Sequence, residues 1–388
     1  MERRERGAEV AVVRERRRLA ESRRWCWKFA VVMMAGAALT GCSRGGGSVA
    51  GSPSPSATPT VVEATPTPGP PARPRLVFTY FFYWYDAYSG QHLRPADGLR
   101  DHFPASPAPS YKNLAWLQRQ LEDMAYAGID VVLPDYWGFG PDEPWSADGL
   151  DYVALARQQM LDAGQPAPKI GMFFDTTIVA GRDLTTPAGK AFFYANVKDF
   201  FTRIPRGQWA LIDGRPVVSL FTSDQAAAFD QSTFDDVYAN FARDFGVRPY
   251  IIREASWDYP IVRRQDGIAV RDLAHPIVTD DSYLWGGALN GYVDRGGVAE
   301  IGPGYDDTLV PGRHGVVQPR DGGWWYRSNF EKALASGKSL LAIETWNEIH
   351  EGTAIGETQE YGRQYLEMTR EFTAAFHAGA APSVLRAP

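Results

Sequence analysis

The sequence predicts one α/β domain, a (β/α)8 TIM barrel at residues 75–388, preceded by a signal peptide and a disordered linker. Three observations predict it. Eight apolar runs follow one another after residue 75, amphipathic helical patterns separate most of them, and acids and aromatic rings stand where the runs end. A barrel of this kind takes about 250 residues plus insertions, and this part of the chain is long enough for one.

Residues 1–41 have the pattern of a bacterial export signal. A basic stretch leads into an apolar run at 29–39, which is too short for a permanent membrane helix. The run ends in Leu-Thr-Gly-Cys, which resembles a lipobox and makes Cys42 the residue expected to carry lipid. Arg23 and Arg24 resemble a twin-arginine signal, so the twin-arginine and general routes both stay open. The alternative is an uncleaved anchor, and both predict a protein on the outer face of the bacterial cell membrane.

Residues 42–74 are rich in Gly, Ser, Pro, Thr and Ala, and this composition predicts a disordered tether. The chain has two cysteines, Cys26 and Cys42, so the barrel offers no thiol nucleophile or cysteine metal site. Residues 1–41 hold ten Lys and Arg against five Glu. The whole chain has a formal charge of −6, so the remainder carries −11. An acidic domain argues against nucleic acid as a partner.

The apolar runs and helical patterns alternate in chain order. The predicted strands are 76–85, 129–137, 169–175, 216–222, 249–257, 276–285, 298–307 and 339–348. The predicted helices are 114–127, 152–163, 188–203, 232–245, 327–336 and 358–376, with short or poorly helical connections on either side of the sixth strand. A doubly wound open sheet is the rival fold, but it usually has a Gly-rich first turn, and none follows the first strand.

The strand ends carry the candidate site, because barrel enzymes act at the C-terminal ends of their strands. An Asp after a strand also caps helices, so each residue alone has a structural alternative. Together, rings beside acids predict a cleft for a carbohydrate polymer or glycan. The candidate substrate contacts are Tyr83, Tyr85, Asp86, Asp135, Tyr136, Trp137, Asp175, Trp257, Asp281, Tyr283 and Tyr305.

The stretch ETWNEIHEGT at 344–353 follows the last apolar run and supplies the candidate catalytic residues. Glycoside cleavage needs one group to protonate the leaving oxygen and another to assist at the anomeric carbon, and two carboxylates with different pKa values can do both. Glu348 and Glu351 are three residues apart, and a turn at Gly352 allows both to face one cavity. The alternative is a surface loop with solvated acids.

Further residues of this stretch extend the prediction to substrate binding. Trp346 offers a ring for a sugar, Asn347 can donate to a hydroxyl, and His350 can tune a carboxylate or act as a structural histidine. Glu344 lies deeper and is expected to play a supporting role. A metal-dependent hydrolase is disfavoured because Ala354 stands where H-E-x-x-H needs its second histidine. We therefore expect no metal and no cofactor.

Residues 346–355 resemble the WNEWHEGT-x-I signature of glycoside hydrolase family 99 and its relatives, which include family 71-like domains and bacterial lipoproteins. Weaker similarities are spread over residues 76–370. They are Tyr83–Trp84–Tyr85, Gly128–Ile129–Asp130, residues 212–216, Pro303–Gly304–Tyr305–Asp306 and Glu360–Tyr361–Gly362. Ile349 departs from a frequent Trp, and Gly356–Glu357 from a frequent Glu-Pro. These departures bear on the sugar more than on the reaction.

The resemblance implies a barrel that hydrolyses internal α-mannosidic linkages with retention and without a metal. It implies that Glu348 deprotonates the substrate's own 2-hydroxyl, which attacks the anomeric carbon, and that Glu351 is the acid/base. Our first hypothesis is therefore a retaining glycoside hydrolase acting on an internal α-linked manno- or gluco-polysaccharide or glycan at the cell surface. The alternative is a catalytically inactive glycan-binding surface lipoprotein on the same barrel.

Overall fold

The computed structural model describes residues 74–140, 144–264 and 266–379. The predicted signal peptide at 1–41, Cys42 and nearly all of the linker at 42–74 lie outside these residues. Within the described ranges, no helix combines the length and the apolar character that crossing a bilayer requires.

The described residues form fourteen strands, of which nine build the barrel wall. The wall strands are β1 (Leu76–Phe81), β2 (Val131–Tyr136), β3 (Lys169–Ile170), β4 (Met172–Phe174), β6 (Arg215–Leu220), β7 (Tyr250–Glu254), β10 (Asp281–Tyr283), β11 (Val298–Ile301) and β14 (Leu340–Ile343). The others are β5 (Leu211–Ile212), β8 (Ile261–Arg263), β9 (Ala269–Arg271), β12 (Tyr305–Asp306) and β13 (Val317–Gln318).

The wall strands are parallel and lie in the order β10-β7-β6-β4-β2-β1-β14-β11. The third position of the wall is shared by β3 and β4, which are interrupted at Gly171. The two ends of the path meet where the N–H of Gly297 donates to the carbonyl of Ser282 at 3.1 Å and to Oδ1 of Asp281 at 2.8 Å. This nearly closed eight-position wall confirms the predicted (β/α)8 barrel.

Seven α-helices accompany the strands in the described residues. They are α1 (Leu114–Tyr126), α2 (Pro144–Asp162), α3 (Pro187–Arg203), α4 (Gln231–Phe245), α5 (Gly287–Asn290), α6 (Trp324–Ala335) and α7 (Gln364–His377). The sequence contains their start signals: the side chain of Asn113 accepts from the N–H of Ala115, and that of Thr186 accepts from the N–H of Gly189. Buried Leu117, Leu121 and Met124 turn α1 towards the barrel.

Three connections differ from a regular alternation. After β7 the chain forms the antiparallel β8–β9 hairpin, and after β10 it forms only the four-residue helix α5. The predicted strand 298–307 ends at Ile301, and Tyr305–Asp306 pairs instead with β13 as a separate hairpin. Its interruption is Gly302-Pro303-Gly304, in which Gly304 has a φ of 133° that favours glycine. These departures all lie at the end of the barrel where a barrel enzyme has its active site.

Candidate active site

The chain leaves β14 in a turn that the sequence holds by side-chain bonds. Asn347 is buried and pairs with the backbone of Phe82 in both directions, with its Oδ1 accepting at 2.8 Å and its Nδ2 donating at 2.8 Å. The hydroxyls of Thr345 and Thr353 lie 2.9 Å apart, and the N–H of Thr353 donates to the carbonyl of Glu348 at 3.2 Å. The amide of Asn347 therefore continues the bonding of β1 past the end of the strand and fixes the position of Glu348.

Glu348 is 2% exposed and is bonded on both carboxylate oxygens. Its Oε1 accepts from the backbone N–H of His350 at 2.9 Å and lies 2.7 Å from Nδ1 of the same residue. Its Oε2 accepts from the hydroxyl of Tyr85 at 3.4 Å. Burial alone would raise the pKa of Glu348, but the charge and hydrogen bonds of His350 offset burial and leave that pKa below its ordinary value.

Glu351 has a different environment, since 14% of its side chain is exposed and its partner is an arginine. Nη2 of Arg313 lies 2.5 Å from its Oε1. The backbone carbonyl of Glu351 accepts from the N–H of Asp306 at 2.8 Å, so β12 holds this residue in place. Burial raises the pKa of Glu351 to about 7, Arg313 opposes that rise, and the nearby charge of Glu348 adds to it.

The two glutamates interact and differ in protonation. At neutral pH the lowered pKa keeps Glu348 ionised, while a pKa of about 7 makes the protonated form of Glu351 accessible. One can therefore accept a proton while the other donates one. Two carboxylates whose environments separate their pKa values are the arrangement that general acid–base chemistry requires.

A second pair of acids lies beside Glu348. Asp135 is the next-to-last residue of β2 and Asp175 directly follows β4, and the indole N–H of Trp137 donates to Oδ2 of Asp135 at 3.0 Å. Oδ1 of Asp135 is buried without a hydrogen-bond partner. Burial and then the charge of Asp175 raise the pKa of Asp135 well above its ordinary value, and Glu348 adds to this effect. Burial also raises the pKa of Asp175, to about 6.

The structure thus brings part of the predicted site together. Tyr305 belongs to it, since its hydroxyl donates to Oδ2 of Asp307 at 3.1 Å and accepts from Nη1 of Arg313 at 2.5 Å. The predicted residues in this group are Glu348, Glu351, Tyr85, Asp135, Trp137, Asp175, Tyr305 and His350.

Other predicted contacts are buried in the packing around the wall. The hydroxyl of Tyr83 donates to the carbonyl of Ser146 at 2.7 Å, and that of Tyr136 to Asp199 on α3. The ring of Trp346 reaches out to α1, where its N–H donates to Gln120 at 2.8 Å. Trp257 packs against Phe193, Phe229 and Phe234. Asn347 is hydrogen-bonded to the backbone of Phe82. None of these five groups has an exposed face for a ligand in this structure.

Three more predicted residues serve loop and barrel geometry. Asp86 accepts from the backbone N–H groups of Tyr88 and Ser89, which shapes the turn after β1. Asp281 accepts from Gly297 where the barrel closes. The hydroxyl of Tyr283 donates to the carbonyl of Leu220 at 2.9 Å inside the barrel. The structure does not bring any of the three to the glutamates.

Sequence reasoning missed several members of the site. Arg313 comes from the loop between β12 and β13, where no spacing pattern marks it. His92 lies over Trp84, with ring centroids 4.7 Å apart, and its carbonyl lies 3.1 Å from Nε2 of His350. Its φ of 54° is unusual for a residue other than glycine. The signal for Trp84 was present, because it stands between two predicted contacts at the end of the first apolar run.

Residues 82–384 match a family described as "Domain of unknown function (DUF5010)". The chain belongs to the DUF5010 family. No curated protein matches it. Among the described residues, no three or more His, Cys, Asp or Glu side chains are grouped so as to hold a metal ion.

Solved structures resemble this DUF5010 chain at low sequence identity. A GH99 endo-alpha-mannosidase from Bacteroides thetaiotaomicron, in complex with BIS-TRIS-Propane, is 15% identical with a TM-score of 0.55, over 78% of this chain and 98% of that one. A second structure of that enzyme gives 15%, 0.54 and the same coverage. A glycoside hydrolase-like protein gives 15% and 0.54, over 80% of this chain and 97% of that one. The predicted resemblance to family 99 is confirmed at the level of the fold.

Proposed function

We propose that this DUF5010 chain is a retaining glycoside hydrolase that cleaves internal α-mannosidic linkages with Glu348 and Glu351. The observation that carries the proposal is that two neighbouring glutamates have different partners, with Nδ1 of His350 2.7 Å from Glu348 and Nη2 of Arg313 2.5 Å from Glu351. The pKa of Glu348 is accordingly lowered, while that of Glu351 is raised to about 7. Burial alone would raise both. At Glu348 the charge and hydrogen bonds of His350 outweigh burial, whereas at Glu351 Arg313 does not outweigh burial and the charge of Glu348.

The two groups suffice for a balanced reaction in two steps. In the first, Glu348 takes the proton of the substrate's 2-hydroxyl, and that oxygen bonds to the anomeric carbon. The bond to the leaving oxygen breaks, and that oxygen takes its electron pair and the proton of Glu351. In the second, Glu351 takes a proton from water, whose oxygen bonds to the anomeric carbon. The 2-oxygen leaves and regains its proton from Glu348, so two inversions give net retention.

This route favours a manno- over a gluco-configured substrate. In an α-mannoside the 2-oxygen and the leaving oxygen are on opposite faces of the ring, so attack from behind is possible. In an α-glucoside they are on the same face, and the 2-oxygen cannot displace the leaving group directly. The likeness of the fold to an enzyme described as an endo-alpha-mannosidase supports the same sugar.

The test is to incubate the full chain with panels of α-mannans and α-glucans and to identify products by mass spectrometry. NMR of the first product formed gives its anomeric configuration. We expect α-mannan fragments with retained configuration. Glu348→Gln and Glu351→Gln should each reduce turnover by about 10²- to 10⁴-fold, the usual worth of one acid–base group. Glu371→Gln, at an exposed ion pair with Arg327, is the matched control and should retain activity.

The outcomes separate the hypotheses. Cleavage of α-glucan with retention would contradict the 2-hydroxyl route. Unchanged turnover in either site variant would remove that glutamate from the reaction. Saturable glycan binding without cleavage would favour the alternative, an inactive glycan-binding lipoprotein on the same barrel.

We also propose that the protein is exported and anchored to the outer face of the bacterial cell membrane by lipid on Cys42. Support comes from the sequence pattern at 29–42 alone. In a bacterial host fed a radiolabelled fatty acid, the wild type should incorporate label and fractionate with membranes. Cys42→Ala should lose the label. A labelled Cys42→Ala protein would contradict this assignment.

A further inference from the structure

His350 is placed so that both of its ring nitrogens need a proton. Nε2 lies 3.1 Å from the backbone carbonyl of His92, and a carbonyl oxygen can only accept. Nδ1 lies 2.7 Å from Oε1 of Glu348, which also accepts the backbone N–H of His350 at 2.9 Å. A neutral imidazole carries one ring proton and can satisfy only one of these acceptors. If Glu348 is ionised, the ring must be an imidazolium.

The surroundings hold the ring in this orientation. His350 is 5% exposed, and its ring stacks on Tyr85 with centroids 5.8 Å apart. It makes edge-to-face contacts with Trp84 and His92, with ring centroids 6.4 and 6.0 Å apart. Rotation of the ring by half a turn would break both bonds, so the side chain is fixed by packing as well as by polar contacts.

We propose that His350 is a positioning residue, held as an imidazolium, that keeps Glu348 ionised and oriented as the base of the reaction. The inference rests on the proposed function, and it adds the group that sets the state of the base. Because His350 touches the glutamate and not the reacting atoms, it acts through Glu348. A carboxylate with a buried cation beside it is ready to accept a proton over a wider range of acid pH.

Several charged and titratable groups face this pair. Glu348, Glu351 and Asp97 favour the charged form of His350, and burial opposes it. His92 lies next to Nε2 of His350. Tyr85 stacks on the ring of His350, and its hydroxyl contacts Oε2 of Glu348. The charge of Arg313 interacts with both glutamates. Acids outnumber the cations close to the ring, and their balance supports a raised pKa for His350.

The direct test is NMR of the full chain labelled with ¹⁵N-histidine. The sequence has six histidines, and the signal that disappears in His350→Asn identifies the right one. In the wild type we expect both ring nitrogens of His350 to stay protonated at pH 7. In Glu348→Gln the ring should become neutral at that pH. A neutral His350 ring in the wild type at pH 7 would overturn the proposal.

The pH dependence of kcat/KM distinguishes this role from a purely structural one, because replacing a structural histidine would not shift the acid limb. Asn can place an N–H near the position of Nδ1 but carries no charge. His350→Asn should therefore shift the acid limb of the kcat/KM profile upward by about one pH unit, which is roughly a tenfold loss on that limb. His102→Asn removes an exposed imidazole from Glu360, at the same 2.7 Å, and should leave the profile unchanged.

Failure of the two proposals can be told apart. An unmoved acid limb in a folded His350→Asn protein contradicts the positioning role even if glycan cleavage is confirmed. Full activity in Glu348→Gln would show that Glu348 is not the base and would contradict the proposed reaction. The NMR measurement on the wild type then still decides whether His350 is charged, since it needs no substrate and uses His350→Asn only to assign the signal.

Discussion

The barrel contains two groups of carboxylates that are largely removed from solvent. Only one group has charged partners of its own, and this difference distinguishes the proposed catalytic residues from residues that contribute to packing. The active-site pair, as proposed above, is Glu348 and Glu351. The inner cluster is Glu254, Glu300 and Glu344, on β7, on β11 and directly after β14. Burial acts to raise the pKa of every member of both groups, but the pKa of Glu348 alone ends below its ordinary value. The two groups differ in what compensates burial.

The inner cluster is held by neutral groups. Glu344 accepts from the backbone N–H groups of Gly286 and Ala288 at 2.8 and 2.6 Å, and Glu300 accepts from the hydroxyl of Tyr80 at 3.2 Å. Burial raises the pKa of Glu344 to about 7, and burial and the charge of Glu344 raise that of Glu300 well above its ordinary value. These acids therefore shift in the same direction.

In the active-site pair, each glutamate has its own cation. His350 lowers the pKa of Glu348 against burial, and Arg313 moderates a pKa that burial and Glu348 raise. The comparison teaches that burying carboxylates together is not enough to make an acid and a base. The charges and hydrogen bonds around each carboxylate must offset burial to a different extent.

The largest expected difference between the groups is kinetic. Glu351→Gln removes the proposed proton donor and should lower kcat/KM on an α-mannan by about 10²- to 10⁴-fold. On an α-mannoside with a dinitrophenyl leaving group the loss should be much smaller, because that group departs without a proton. Glu344→Gln should change kcat/KM only a few-fold.

Initial rates for both variants on both substrates decide the matter. A Glu344→Gln protein as impaired as Glu351→Gln on the polymer would show that the inner cluster takes part in catalysis. An equal loss for Glu351→Gln on both substrates would remove its role as the acid.

The second difference is in stability. The folded-state pKa of Glu344, about 7, lies above the ordinary value of a glutamate, 4.5, so the folded protein binds the extra proton and this contribution is lost as pH rises through 7. A shift of this size corresponds to about 3 kcal/mol. Glu344→Gln does not titrate, so its free energy of unfolding relative to wild type should improve between pH 5 and pH 8.

Guanidinium chloride unfolding at the two pH values measures this change. Glu348→Gln is the matched comparison from the active site, where the lowered pKa gives the opposite sign. The free energy of unfolding of Glu348→Gln should fall relative to that of the wild type as pH rises from 4 towards 6. The same pH trend in both variants would contradict the distinction between the groups.

The sequence predicted much of this comparison, but unevenly. The position of Glu348 and Glu351 after the last buried strand followed from the pattern itself, because an apolar run followed by acids and a turn marks a strand exit. The pattern of alternating runs likewise predicted the barrel and six helices. The direction in which each aromatic side chain points could not be predicted from this pattern. Trp346 points outward and donates to Gln120, and its neighbour Asn347 binds the backbone of Phe82, which is 265 residues away in sequence.

The countercharges were harder still to predict. Arg313 reaches Glu351 from a loop inserted between two short strands, and His92 reaches His350 from 258 residues away. Such contacts depend on how the loops fold over the end of the barrel, and single-sequence periodicity contains no information about that. His350 was the exception, because it lies between the two glutamates in sequence.

A third expected effect comes from Arg313. Arg313→Met removes the group that opposes the rise of the pKa of Glu351, so this pKa should increase further. A proton donor with a higher pKa stays protonated to higher pH, and the basic limb of the kcat/KM profile should move upward by roughly one unit. Arg327→Met, at the ion pair with Glu371, is the control. A basic limb that stays in place in Arg313→Met would mean that the arginine does not set the state of the acid.

The smallest expected effect comes from removing one tyrosine hydroxyl that contacts each group of carboxylates. Tyr85 shares its single O–H between the carbonyl of Asn347 at 3.0 Å and Glu348 at 3.4 Å, while Tyr80 donates to Glu300 at 3.2 Å. Tyr85→Phe should lower kcat/KM a few-fold, because a long hydrogen bond to the base contributes about 1 kcal/mol or less. Tyr80→Phe should leave kcat/KM unchanged and lower the free energy of unfolding by about 1–2 kcal/mol, since it strands a buried acceptor. Steady-state kinetics and denaturant unfolding on both variants measure these values, and a kinetic loss in Tyr80→Phe would falsify the view that the inner cluster serves only packing.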